Sequence, residues 1–136
     1  MPRAVVTGGA GFIGSHLCEA MLARPWDVVA VDNFVTGSPA NVAQLRDEPH
    51  FELVEADVVH GIPVTGTVDA VLHLASIASP PAYLANPIAT LEVGSIGTHR
   101  ALEFAREHHA RMLLASTSEV YGDPLVHPQP EGYWGN

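Results

Sequence analysis

At 136 residues and 47% hydrophobic content, the chain fits one domain with a real core, and wholesale disorder is excluded. Its formal net charge of −9, with six arginines and no lysine, argues against a nucleic-acid groove or an anionic membrane surface, both of which reward clustered basic side chains. A single cysteine, Cys18, rules out an internal disulfide and fits a reducing cytoplasm.

Ala4–Thr7 reads as a buried strand, because parallel strands covered on both faces are continuously apolar. It follows Met1 almost directly, with no signal-peptide pattern. Gly8, Gly11 and Gly14 come next at three-residue spacing, and Ile13, Leu17, Ala20 and Met21 recur behind them at helical intervals. Pro25 closes that helix, inside which Cys18 reads as a packed thiol. Val28–Val31 is the second strand, and Asp32 ends it. Ser38-Pro39 supplies a cap and a favoured first-turn proline, predicting a short helix to about Arg46.

Phe51–Val54 and Val68–Leu74 are the third and fourth strands. The most apolar stretch, Val68 to Ala78, is too short and too interrupted to span a bilayer. Asn86-Pro87 repeats the cap-and-proline signal and opens the longest helix, ending near His109. Met112–Ala115 is the fifth strand, and Asp123 to Asn136, rich in Pro and Gly, reads as loop. Strands alternating with helices predict an α/β fold, a doubly wound parallel sheet with right-handed crossovers.

The long helix carries two apolar stripes. Leu91, Thr98, Leu102 and Ala105 share one face, while Val93, Ile96 and Phe104 fall roughly opposite. Either further polypeptide covers the second stripe or the 87–109 helix forms a homodimer contact; Arg100 on that second face counts slightly against burial.

The three glycines behind a strand, with a carboxylate at the end of the next strand, predict a dinucleotide-binding βαβ unit. One glycine permits the tight turn, one lets backbone N–H groups approach a pyrophosphate, and one lets helix pack on strand. The helix start at Phe12 and Ile13 offers unpaired donors and a partial positive charge. Asp32 can accept both adenosine ribose hydroxyls and would repel a 2′-phosphate, so NAD is expected over NADP. Leu74, Ala75 and Ser76 end the fourth strand and Ala115 the fifth, where open α/β sheets place ligands; His73 reads as a core-packed histidine. The histidines show no close pair at metal-ligand spacing on a helix face, so no metal site is expected.

The spacing Thr7-Gly8-x-x-Gly11-x-x-Gly14 resembles the extended short-chain dehydrogenase/reductases. Val31-Asp32-Asn33-Phe34-Val35-Thr36-Gly37, Ala56-Asp57-Val58, Ser79-Pro80-Pro81-Ala82-Tyr83 and Ser116-Thr117-Ser118-Glu119-Val120-Tyr121-Gly122 narrow the resemblance to the UDP-glucuronate decarboxylase (UDP-xylose synthase) family. His127-Pro128-Gln129 and Tyr133-Trp134-Gly135-Asn136 match it as well. The resemblance covers essentially the whole chain but less than half of such an enzyme. It implies a UDP-sugar substrate, NAD as cofactor, and decarboxylation through a 4-keto sugar that acts as electron sink for loss of carbon dioxide.

By that resemblance Asn33, Phe34, Thr36 and Gly37 continue the adenosine pocket, and Asp57 and Val58 flank the adenine, although Asp57 also suits a turn. Thr117 is the hydroxyl expected to hydrogen-bond the sugar 4-hydroxyl and relay its proton; on the residues alone a Thr after a strand is a turn or cap residue. Glu119 is expected near the sugar ring, assisting loss of the carboxylate, with a solvated loop carboxylate as the plain alternative. Tyr83 is expected to reach the sugar or its carboxylate from a loop fixed by two prolines, with a core or rim aromatic as the alternative.

Departures accompany the match. The family's base is a Tyr four residues before a Lys, and this chain has no lysine; by resemblance the pair would lie just beyond Asn136, with the substrate-binding part also absent. Residues 1–136 are thus expected to form an incomplete NAD-binding domain, not a self-sufficient enzyme, with Met112–Ala115 as an apolar unpaired edge. Gly94 stands where the family usually has Asn, Glu92 where Lys is frequent, and Ile77 where Pro is customary. A UDP-glucuronate 4-epimerase and a non-catalytic NAD-binding module remain the alternatives.

Overall fold

The computed structural model describes all 136 residues. Five parallel strands form one sheet: β1 (Arg3–Thr7), β2 (Asp27–Asp32), β3 (Phe51–Glu55), β4 (Ala70–His73) and β5 (Arg111–Leu114), in the order β3-β2-β1-β4-β5. Each expected strand is present, with ends shifted by one or two residues. β4 is the largest shift: Val68 lies before it, buried, and Leu74 only extends the pairing by donating its N–H to Thr7 O at 3.1 Å.

Alternate residues of each strand serve opposite faces. Ala4 and Val6 on β1 join Val28 and Ala30 on β2 against helix α1 (Phe12–Leu22), through Cys18 and Met21. Val5, Val29, Val31 and Val71 make the other core, against Phe104 and Ala105 of helix α4 (Thr98–Glu107). Fully burying each such valine contributes about 1.5–3 kcal/mol, which explains the unbroken apolar runs of β1 and β2. Within α1, Ile13 departs from its expected place: it is 67% exposed, because the helix rests on Gly14, Ser15, Cys18 and Met21.

Ser38 caps the next segment as expected, its Oγ accepting from Ala40 N at 3.3 Å, and Pro39–Leu45 forms the expected short helix, of the 3-10 type. The stretch read as a loop around Pro80-Pro81 is helix α2 (Pro80–Ala85), with the prolines in its first turn, where their missing N–H groups cost nothing. Asn86 separates it from helix α3 (Pro87–Glu92) but makes no side-chain cap; its Nδ2 donates to Ala82 O at 3.0 Å instead.

A π turn, Val93–Gly97, joins α3 to α4, and the two-stripe reading of this segment holds in part: Val93 and Phe104 pack in the same core, while Leu91 and Leu102 are both exposed. Ile96, expected with Val93 and Phe104, is instead 42% exposed. Ala105 turns inward with Phe104, whereas Ile88, Leu91 and Leu102 are 72%, 73% and 52% exposed on the side away from the core. β5 forms a sheet edge, and Leu113 and Leu114 on it are about half exposed. No helix is long and apolar enough to cross a membrane. Residues 123–136 contain no regular element, yet Asn136 pins their end by donating from its N–H to Tyr121 O at 2.9 Å and accepting at its carbonyl from Asp123 N at 2.9 Å.

Burial pushes the Cys18 thiol up to about 12, leaving on the order of one thiolate in 10⁵ at neutral pH. Native protein treated with iodoacetamide at pH 7.5 is therefore expected to stay unmodified by mass spectrometry and to take up one label in urea; rapid labelling under native conditions would contradict this packing.

Candidate functional site: a dinucleotide cleft at the sheet edge

β1 lies between β2 and β4, and the chain leaves the sheet in opposite directions on its two sides. The carboxyl ends of β1 and β4 therefore frame a crevice, where open α/β sheets bind ligands. Gly8 turns the chain there at φ +71°, and an added Cβ would lie 2.9 Å from Ala75 N. Gly14 brings α1 down on the turn; a Cβ on it would overlap Gly8 O and sit 2.8 Å from Gly9 Cα. Gly11 is the residue before α1 and is less crowded, with Gly8 O 3.1 Å from its ideal Cβ. The N–H groups of Phe12, Ile13 and Gly14, the first donors of α1, have no acceptor in the chain, and Ala10 O, four residues before Gly14, is taken by Ser38 N at 3.0 Å and Asn41 Nδ2 at 2.8 Å. Three donors thus face outward at a positive helix end, the chemistry that a pyrophosphate requires.

Asp32 is 8% exposed and fixes this turn from beneath. Its Oδ2 accepts from Ala10 N at 3.0 Å and its Oδ1 from Phe34 N at 2.9 Å, leaving a further lone pair on each oxygen for ribose hydroxyls. Gly37 passes so close that a Cβ would come within 2.8 Å of Asp32 Oδ1. Asn33 Nδ2 donates to Asp57 Oδ2 at 3.0 Å, tying the loop after β2 to the loop after β3. Asp57 Oδ1 accepts from Val59 N at 2.9 Å, so Asp57 is the turn residue it was weighed as while still facing the cleft.

Two adjoining cavities follow. One of 170 Å³ is walled by Asp32, Asn33, Thr36, Asp57 and Val58, with Leu74, Ala75 and Ser76 opposite. A second, of 700 Å³, lies over Phe12, Ile13 and Gly14 and reaches Ala115 and Thr117. Gly8, Thr36, Leu74, Ala75 and Ser76 border both, which makes them one cleft.

Five expected site residues stand outside these walls. Gly11 and Gly37 act through backbone approach. Phe34, at φ +59°, packs its ring on the α1-side core and offers the cleft only its backbone. Tyr83 sits half-buried on α2, a helix and not a proline-stiffened loop. Glu119 is exposed on a 3-10 turn, Ser118–Tyr121, and lines neither cavity. Thr117 is a cap residue, its Oγ1 accepting from Glu119 N at 3.3 Å at the start of that turn, and it also borders the larger cavity.

Further residues complete the walls. Glu92 and Val93 close the smaller cavity, and Gly94 and Thr98 the larger. His73 also borders the larger one; its Nδ1 lies 2.7 Å from Thr7 Oγ1 and its Nε2 3.2 Å from Thr98 Oγ1. Glu92 and Gly94 stand at positions where the sequence departs from the family pattern, and His73 and Thr7 each end a strand; Val93 and Thr98 carried no signal.

A glycine turn, a helix end with free donors and a buried carboxylate at the switch of strand order define a dinucleotide-binding α/β protein. Residues 4–133 match the NAD dependent epimerase/dehydratase family, and the chain belongs to it. It is 52% identical over 134 residues to "UDP-glucuronic acid decarboxylase 1" of Danio rerio, covering 98% of this chain and 32% of that protein. A crystal structure of UDP-galactose 4-epimerase superposes with a TM-score of 0.82 at 36% identity, over 98% of this chain and 44% of the other. The dTDP-glucose 4,6-dehydratase of Streptomyces venezuelae, with NAD and TYD bound, gives 0.79 at 33% identity, over 88% and 41%. The chain therefore spans about a third of the length of the curated relatives it matches. NAD is the cofactor of this family, and the free donors and the Asp32 carboxylate fit it.

His73 is 2% exposed, and burial lowers its pKa from the ordinary histidine value. Below that value the unfolded chain takes up a proton that the folded chain refuses, so this group's contribution to stability is full above it and falls as pH drops, by at most about 1.4 kcal/mol per pH unit. Urea unfolding at pH 7.0 and 5.5 should show a larger loss of stability for the wild type than for His73→Gln; equal losses would contradict the assignment.

Proposed function

We propose that this segment is the NAD-binding part of a nucleotide-sugar decarboxylase that converts UDP-glucuronate to UDP-xylose. The observation that carries the reading is the 52% identity to a decarboxylase over nearly the whole segment, including every element that builds the cleft. Bound NAD would accept hydride from the sugar's carbon 4 and return it after carbon dioxide leaves, so no net oxidation occurs.

The chain's own residues supply orientation and charge. The N–H groups of Phe12, Ile13 and Gly14 hold the pyrophosphate, and Asp32 accepts from the adenosine ribose. Asp57 and Val58 face the adenine. Leu74, Ala75, Ser76 and Ala115 form the floor that sets the redox-active ring against the sugar. Thr117 keeps its O–H for donation, since capping occupies only a lone pair, and it would hydrogen-bond the reacting hydroxyl and its developing charge. Glu119 and Tyr83 reach the sugar if the turn and α2 close over it. The Tyr and Lys pair expected as the base is not among these residues, which include no lysine.

Ile88, Leu91 and Leu102 on the outer side of the 87–107 helix support a homodimer contact there. A single buried thiol supports a cytoplasmic setting.

Incubating the complete polypeptide with UDP-glucuronate and NAD+ should yield UDP-xylose and carbon dioxide; UDP-galacturonate as product would overturn the reading in favour of an epimerase. Thr117→Val should lower kcat by about 10²-fold or more while the Kd for NAD+ stays within about twofold. Binding of NADP+ should be on the order of tenfold weaker than NAD+, and Asp32→Ser should narrow that gap. Equal affinities in the wild type would remove Asp32 from its assigned place.

A further inference from the structure

We propose that His73 is a positioning residue of the cleft: a neutral imidazole that braces the glycine turn, the segment after β4 and helix α4 against one another, so that cofactor affinity depends on it. The proposal rests on the cofactor-binding reading above. Three features of the ring carry it.

The first is connectivity. His73 Nδ1 meets Thr7 Oγ1 at 2.7 Å, and that same oxygen accepts from Ala75 N at 3.3 Å. On its other side His73 Nε2 meets Thr98 Oγ1 at 3.2 Å, immediately after the π turn. The backbone carbonyl of His73 accepts from Ala115 N at 3.0 Å, two residues before Thr117. One residue therefore links the end of β1, the start of α4 and the segment after β5 beside the larger cavity.

The second is tolerance. Thr7 precedes Gly8, and the Gly8 turn approaches Ala75 so closely that no Cβ fits between them. A shift of Thr7 or Ala75 by a few tenths of an ångström would change where the helix-end donors stand relative to Ala75 and Ser76, the walls shared by both cavities. The Thr98 contact adds the third side, at the first residue after the π turn.

The third is that the ring has nothing left to offer a substrate. At 2% exposure and with burial lowering its pKa, it is neutral at physiological pH and has one donor and one acceptor. Both nitrogens already face threonine hydroxyls. It cannot serve as general base or acid without breaking the brace, so its role is to hold others.

The test uses the complete polypeptide and NAD+ as the probe, with His73→Phe, His73→Gln and Thr98→Val. His73→Phe keeps most of the volume and removes both hydrogen bonds, so the Kd for NAD+ by titration calorimetry should rise about tenfold or more. His73→Gln, which can still donate and accept, should recover most of that loss although its Tm falls with that of His73→Phe. Thr98→Val should raise Kd about threefold, and it alone decides the matter if His73→Phe does not fold. An unchanged Kd in the folded variants would overturn the brace and leave His73 a packing residue. If the wild type itself does not bind NAD+, the functional reading fails; amide exchange then judges the brace separately. Faster exchange at Ala75 and Ala115 in Thr98→Val or His73→Phe would uphold it, and unchanged exchange would overturn it.

Discussion

The close approach of backbone to backbone at Gly8 and Gly14 is the constraint on which the cleft depends. A left-handed residue directly after β1 reverses the chain, and a glycine in the first turn of α1 lets the helix sit on that reversal. With the helix so close, its first N–H groups point into the crevice between β1 and β4 instead of over the top of the sheet. A side chain at either position would push the helix end away and close off the donors. Asp32 completes the arrangement from the neighbouring strand by holding Ala10 N, so the carboxylate that would read a ribose also fixes the phosphate turn. Position and recognition are one set of bonds.

The sheet order explains why so few residues suffice. In β3-β2-β1-β4-β5 the crossovers leave β1 in opposite directions, which opens a gap at its carboxyl end without any special loop. Segments distant in sequence meet there because parallel strands all deliver their ends to the same edge. Asn33 and Asp57 are joined across 24 positions by one hydrogen bond, and His73 joins Thr7 across 66. These links turn separate loops into a single wall.

What was legible in the sequence follows from how local each cause is. The five strands could be read because a strand covered on both faces must be apolar throughout, and the glycine turn because its backbone demands glycine. Helix α2 was missed because Pro80-Pro81 suits both a loop and a helix start. The π turn was invisible: nothing in Val93–Gly97 distinguishes an i→i+5 turn from an ordinary one, and Gly97 shows its purpose only through the Val58 methyl 2.9 Å from its would-be Cβ. Beyond that turn Ala105 changed face, whereas Leu102 stayed exposed with Leu91 and Phe104 stayed in the core with Val93. Phe34 and Ile13 exchanged expected surroundings for a related reason, since a left-handed residue and a glycine-rich helix end redirect side chains in ways that apolar spacing does not encode. Glu119 and Tyr83 entered through resemblance alone, and their places outside both cavities show how far an approach of substrate would have to carry them.

Thr117 shows why two readings of one residue need not compete. As cap of the Ser118–Tyr121 turn its oxygen accepts from Glu119 N, which restricts its rotamer and fixes where the hydroxyl stands relative to Ala115. Accepting that bond does not consume the hydroxyl proton; it orients it, because the remaining lone pair and the O–H must point away from the donor. A threonine free of the cap would sample other rotamers and lose that entropy on meeting a substrate hydroxyl. The bond that makes Thr117 look merely structural is therefore the one that would prepare it for chemistry.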